Sequence, residues 1–308
     1  MRLTVYVPTY GRWNLCLEQV QRLHEQRHHL PEGFEVTIAV SVNGDPRYSE
    51  GELREAGADA VQVRSVNLGG EANYCLAFEH LGHCDYLWVV SDDDPIQDEA
   101  LSRICSAISQ LGDPALIVLG GAEPTPVEIS PRGIDDIEHL PIASISCSIF
   151  RSEVFTDLVP YAFSGIATHF PQVALIRAGI HSGRVERIAL LPTDRVVDLS
   201  SFARDQTQLG RGGMGARTGG FFFGGGLLVY LEGDPRMRKS LARRWWRQHW
   251  HRLSMYRLAD SAAQEVVDRM GRSSVSTVGW WFLSLAPWWR LKDRLDSVRR
   301  TTTRSSGT

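Results

Sequence analysis

The chain has 308 residues, 43% of them apolar and 22% charged, which suffices for a sizeable core and excludes a wholly disordered protein. Its net charge of −3 hides an imbalance: residues 236–308 hold 16 Lys and Arg against 5 Asp and Glu, while residues 1–235 hold 17 against 31. An acidic body with a basic end suggests that the end meets something anionic, and five scattered cysteines (Cys16, Cys75, Cys84, Cys105, Cys147) without a CxxC exclude a disulfide frame or zinc site.

The pattern alternates from the start. Residues 3–7 form a short apolar strand that ends in Pro8-Thr9-Tyr10-Gly11-Arg12. Helical spacing over 15–23 follows, with Leu15, Val20 and Leu23 expected inside and Asn14 as the cap. A second strand at 34–42 stops at Asn43-Gly44-Asp45-Pro46, and a short helix at 50–56 and a strand at 60–65 come next. Asn67-Leu68-Gly69-Gly70 opens a helix predicted to reach 81, a strand follows at 85–91, and a helix at 96–111 leads to a strand at 115–119. Strands alternating with helices of this length predict βαβ units and a mostly parallel sheet. Beyond that the reading is coarser: a strand at 142–150, helices at 153–159 and 170–178 with Pro171 in the first turn, strands at 185–191 and 196–199, and a Gly- and Arg-rich loop at 200–220. The N-terminal run has no signal-peptide layout, and no stretch approaches the roughly 18 uncharged apolar residues of a spanning helix. A cytoplasmic protein is expected.

Asp92-Asp93-Asp94 stands where the strand at 85–91 meets a loop. Like charges this close repel, so one carboxyl is driven toward protonation unless a cation joins them. A divalent ion held by oxygen ligands resolves the conflict; the alternative is that the run caps the helix after it.

In that order, Val-Pro-Thr-Tyr-Gly-Arg at residues 7–12, Asn43-Gly44, Asn67-Leu68-Gly69-Gly70 with Asn73, and an apolar strand into Ser91-Asp92-Asp93-Asp94 resemble family 2 glycosyltransferases of the GT-A type. The resemblance covers about residues 1–120 well and 140–200 loosely. It implies an α/β GT-A fold and a nucleotide-diphospho-sugar donor. Pro8, Thr9, Tyr10 and Arg12 would lie near nucleoside and diphosphate, Asn43 near the base, and Asn67, Gly69, Gly70 and Asn73 against the donor; that Gly69-Gly70 only forms the turn before the helix is the alternative. Asp92 would orient ribose and metal, and Asp94 would bind Mn²⁺ or Mg²⁺ directly. Asp93 is grouped with His169 as the catalytic set. His169 stands where relatives carry a carboxylate base, and it is open to three readings: general base, second metal ligand, or a histidine hydrogen-bonded at a helix N-terminus. Asp194 is a weaker candidate base. Relatives commonly have an acidic residue where this chain has Val42, which leaves the base contact open.

Seven of the nine tryptophans (Trp245, Trp246, Trp250, Trp280, Trp281, Trp288, Trp289) fall in the basic end. Tryptophan with arginine suits a helix in the membrane interface; packing onto the body or a homodimer partner is the second reading, and nucleic acid is disfavoured by the acidic body. The expectation is therefore a GT-A domain over 1–230 and a helical tail over 231–308, peripheral on the inner face of the membrane. It would transfer sugar to a saccharide or lipid-linked saccharide in surface-polysaccharide or glycolipid assembly. A sugar nucleotidyltransferase and a non-catalytic sugar-nucleotide-binding scaffold are the alternatives. A dinucleotide-binding fold is disfavoured because no G-x-G-x-x-G follows the first strand.

Overall fold

A computed structural model describes residues 1–198, except 46, 122, 124, 133–136, 138, 139, 143 and 167–169. His169 and the expected tail lie outside the described residues. Eight strands form one sheet there: β1 (Arg2–Thr9), β2 (Glu35–Val42), β3 (Ala60–Val63), β4 (Tyr86–Val89), β5 (Leu116–Gly121), β6 (Val127–Ile129), β7 (Ser148–Arg151) and β8 (Ile188–Pro192). Their order is β3-β2-β1-β4-β7-β5-β8-β6. The β3–β2, β2–β1, β1–β4 and β5–β8 pairs are parallel, whereas β7 runs antiparallel between β4 and β5, and β6 is antiparallel to β8. This is the mostly parallel GT-A arrangement expected from the sequence.

A strand covered on both faces reads as an unbroken apolar run, not an alternating one. Strand β4 is such a strand: Tyr86, Leu87, Trp88 and Val89 are all buried. On one face, α1 (Trp13–Gln26) contributes Cys16, Val20 and Leu23 to a core with Val5, Ile38 and Trp88; α2 (Glu50–Glu55) adds Leu53. On the other face, after α3 (Gly70–Cys75), a 3₁₀ segment Leu76–Gly82 brings Phe78 edge-on to Phe150 at 5.4 Å. Helix α4 (Ala100–Leu111) joins the first core through Leu101, Ile104 and Ile108. The short helices α5 (Ser152–Phe155) and α6 (Val159–Ser164) lead to α7 (Pro171–His181), and Phe155 of α5 stacks edge-on with Phe150 at 5.2 Å.

Several expectations shift. Helix α1 begins at Trp13 with Arg12 at its cap position, so Asn14 lies inside the helix. Leu15 is 41% exposed, and the buried stripe runs through Cys16, Gln19, Val20 and Leu23. A buried glutamine on that stripe masked the true phase. Helix α4 starts at Ala100, not near 96, because Ile96 instead pairs with Val197 in an isolated antiparallel bridge. That bridge also replaces the strand expected at 196–199. The 142–150 strand contracts to β7, preceded by a 3₁₀ turn at Ile145–Cys147. Edge strand β6 was too short to leave a sequence signal.

Candidate functional site

The chain steps outward from β1 to β2 and β3, then crosses back to place β4 on the other flank of β1. Such a reversal opens a crevice beyond the carboxyl ends of the two diverging strands, where ligands of open α/β sheets bind. The β1–β4 pairing continues past β4 through the Val90 N–H, which donates to the Tyr6 carbonyl at 3.0 Å. Thr9 and Asp92 thereby come together across the crevice although 83 residues separate them.

The Thr9 hydroxyl donates to Asp92 Oδ2 at 2.5 Å, and Arg12 Nη2 lies 2.7 Å from Asp92 Oδ1. Arg12 also pairs through Nη1 with Asp93, whose other oxygen accepts from the Ser91 hydroxyl. The Asp92 side chain is fully buried, that of Arg12 32% exposed. Burial pushes Asp92 up to about 7, against the opposing pull of Arg12 and Thr9. Asp94 differs. Its Oδ2 accepts from the Ser146 hydroxyl at 2.7 Å, and among the described residues it has no ion-pair partner. Burial, only partly offset by Ser146, pushes it up to about 6. Helix capping does not account for this run, since the next helix begins at Ala100 with Glu99 before it.

A divalent ion is implied by the family resemblance, and the carboxylates answer the question of fit unequally. Asp92 and Asp93 already share a cation in Arg12. Asp94 is a desolvated carboxylate with one oxygen fixed by Ser146 and, among the described residues, no cation paired with it, which suits an oxygen ligand of a hard metal. No group of three or more His, Cys, Asp or Glu side chains is arranged for a metal among the described residues. The described residues thus offer Asp94 as the carboxylate that would hold such an ion.

The asparagines fold inward. Asn43 donates to Asn67 Oδ1 at 2.8 Å and accepts from the Leu68 N–H at 2.8 Å, so its amide pins the 67–69 loop. Asn67 Oδ1 also accepts from the Gly69 N–H at 2.8 Å. Asn73 is buried, its Oδ1 taking the Ser41 hydroxyl at 2.7 Å. These three position the rim through their side chains. Gly44, at φ +72°, lets two rim loops touch: a Cβ there would lie 2.3 Å from the Val66 carbonyl carbon. Gly69, at φ +85°, turns the chain into α3, of which Gly70 is the first residue. Tyr10 stands on the rim, 52% exposed, and Pro8 is half-buried in β1. Asp194 is exposed in a 3₁₀ turn at Thr193–Arg195.

Sequence reasoning missed four residues that build the site. Tyr48 accepts from the Arg12 N–H at 2.7 Å and lies 3.2 Å from the Thr9 hydroxyl. Gln19 donates to the Asp94 carbonyl at 3.0 Å and accepts from the Ile96 N–H at 3.2 Å, fixing the loop after the aspartates. Ser146 accepts from the Ser91 N–H at 2.9 Å while donating to Asp94. Arg47 grips Asp45 and holds it down to about 2. A polar residue at a buried helical phase was the signal available for Gln19; Arg47 and Tyr48 lie in a loop without a pattern, and Ser146 sits in a 3₁₀ turn inside the run read as a strand.

No family profile matches the sequence, and no curated protein matches it significantly. Solved structures do. S. aureus TarS 1–349 is 14% identical with a TM-score of 0.60, covering 95% of this chain and 88% of that one. The same protein in complex with UDP-GlcNAc is 13% identical with a TM-score of 0.61 over the same shares. A longer TarS structure, 15% identical at a TM-score of 0.58, is covered over 50% of its length and covers 92% of this chain. At these identities the likeness is one of fold.

Proposed function

We propose that the chain is a glycosyltransferase that takes a nucleotide-diphospho-sugar together with Mn²⁺ or Mg²⁺ and passes the sugar to a saccharide or lipid-linked saccharide hydroxyl. The observation that carries the reading is the convergence of Thr9, Arg12 and Asp92–Asp94 at the switch point between β1 and β4. The likeness of the sheet to TarS, solved with UDP-GlcNAc, supports it and makes UDP-GlcNAc the first donor to test.

In this reading Arg12 supplies positive charge beside the donor diphosphate, and Thr9 and Tyr48 fix its backbone and its carboxylate partner. Asp94 would hold the divalent ion, with Ser146 orienting it. Such an ion neutralises charge that gathers on the departing diphosphate. Asn43, Asn67 and Asn73 fix the loops of the opposite rim against each other and against β2. The basic, Trp-rich residues 236–308 support an acceptor met at an anionic membrane face.

The test is a thermal-shift screen of the full chain against UDP-, GDP-, dTDP- and CDP-sugars, each with Mn²⁺, Mg²⁺ or EDTA. A ligand present at about 100 times its Kd stabilises the fold by about 2.7 kcal/mol. Stabilisation by one nucleotide class, dependent on metal, is expected. The absence of any shift with every pairing refutes the reading.

A further inference from the structure

Arg12 sits where a metal would otherwise be drawn. Three consecutive carboxylates need positive charge, and the fold supplies one from within: the guanidinium spans Asp92 Oδ1, at 2.7 Å, and Asp93 Oδ2. Its placement is not accidental to a flexible side chain. Arg12 occupies the cap position of α1, its N–H donates to Tyr48 at 2.7 Å, and Tyr48 is held against Trp13 at 4.7 Å between ring centroids. Thr9 fixes the far oxygen of Asp92. The bridge therefore has both ends anchored, one from β1 and α1 and one from the segment after β4. Asp94 is outside it, turned to Ser146 from the turn before β7.

We propose that Arg12 is a resident counter-ion that keeps a divalent ion off Asp92 and Asp93, so that metal enters only in company with the donor diphosphate, on Asp94. This rests on the donor reading above and adds to it the form of the substrate: the metal–nucleotide complex, not metal and nucleotide independently. Among the described residues Asp94 is the one of the three carboxylates without a paired cation, too few ligands to strip Mn²⁺ or Mg²⁺ of its water, whereas a diphosphate brings further oxygens with it. The diphosphate also competes with Asp93, the more exposed of the two paired carboxylates, for the same guanidinium.

The experiment is calorimetric titration of the full chain with Mn²⁺ alone, alongside Arg12→Met, Arg12→Lys and, as a charge control away from the crevice, Arg54→Met. Wild type and Arg54→Met are expected to give no binding below millimolar Mn²⁺. Arg12→Met, which leaves the more exposed Asp93 without its cation beside Asp94, is expected to bind Mn²⁺ about tenfold tighter or better, and Arg12→Lys to restore exclusion. A merely structural role for Arg12 moves melting temperature but not the contrast between the Met and Lys variants. Micromolar binding of Mn²⁺ alone by wild type overturns the proposal, even if Arg12→Met does not fold, as does equal affinity in wild type and Arg12→Met. A parallel titration with UDP and Mn²⁺ together separates the two ideas: failure there strikes the donor reading, whereas success there with Mn²⁺ also binding alone strikes only this one.

Discussion

Replacing Arg12 by Met leaves Asp92 fully buried with its partner gone, and the loss is set by proton exchange. Two unit charges about 4 Å apart at an effective dielectric near 20 attract by about 4 kcal/mol. Divided by about 1.4 kcal/mol per pKa unit, this raises the Asp92 carboxyl by about three further units. It starts at about 7 in the folded wild type. Since burial holds the folded value above the unfolded one, the group's contribution to stability is full at acid pH, below the unfolded value. It declines as pH rises and levels off once the carboxyl is ionised. In Arg12→Met the decline continues beyond 7, because the carboxyl stays protonated. At pH 8, one unit above the wild-type value, the extra loss is about 1.4 kcal/mol; at pH 6 it is close to zero. Asp92→Asn removes the titration from folded and unfolded states alike, so it escapes this decline and should gain on wild type more at pH 8 than at pH 6. In the Asp92→Asn background, Arg12→Met should cost the same at pH 6 and pH 8, since no carboxyl is left to titrate. Urea unfolding of the four proteins at pH 6 and pH 8 measures this coupling. Additive losses, or a coupling as large at pH 6 as at pH 8, refute the argument that the pair is governed by a buried, proton-exchanging aspartate.

Gly44→Ala combines a left-handed backbone with a clash against the Val66 carbonyl carbon, and should cost at least about 1–3 kcal/mol in chemical unfolding, with donor-induced stabilisation falling alongside. Asn73→Ala leaves the Ser41 hydroxyl without its buried partner and should cost about 1–3 kcal/mol, while the nucleotide Kd of the folded fraction changes little if the amide acts by positioning. Ser146→Ala orphans the Ser91 N–H and loosens Asp94; a similar destabilisation is expected, together with a weakened metal-dependent shift by nucleotide. All five cysteines are buried, and burial pushes Cys16, Cys75, Cys105 and Cys147 up to about 12, so a thiol reagent at pH 8 should find none in the native protein and five after unfolding.

The fold of the first half was legible because β1, β2 and β4 are buried runs that lead into Pro, Gly, Asn or Asp, and that punctuation survives without tertiary information. The position of the aspartates was legible for the same reason. Which of them faces what was not. Asp92, Asp93 and Asp94 look alike in sequence, and their difference arises from contacts made by Arg12, Thr9 and Ser146. Asn43 and Asn67 drew notice as loop residues near a ligand, yet their amides serve each other across 24 positions. Local pattern cannot separate an amide that meets a ligand from one that ties two loops, since both need a polar side chain at a strand end. Leu15 failed because apolar periodicity assigns leucine to the inside, whereas Gln19 took the buried phase to hold the loop after Asp94.

The Ser146 contact has a kinetic consequence. The bonds that complete the crevice close long loops: Thr9 to Asp92 over 83 residues, Ser91 to Ser146 over 55. Such contacts form late, after the entropy of loop closure has been overcome by strand pairing. On the ribosome, a chain that has exposed β1 to β4 already possesses Arg12 and all three aspartates but lacks the hydroxyl that orients Asp94. Competence for the metal–nucleotide uptake proposed above should therefore appear abruptly as the segment carrying Ser146 and β7 inserts beside β4, and not grow strand by strand with synthesis.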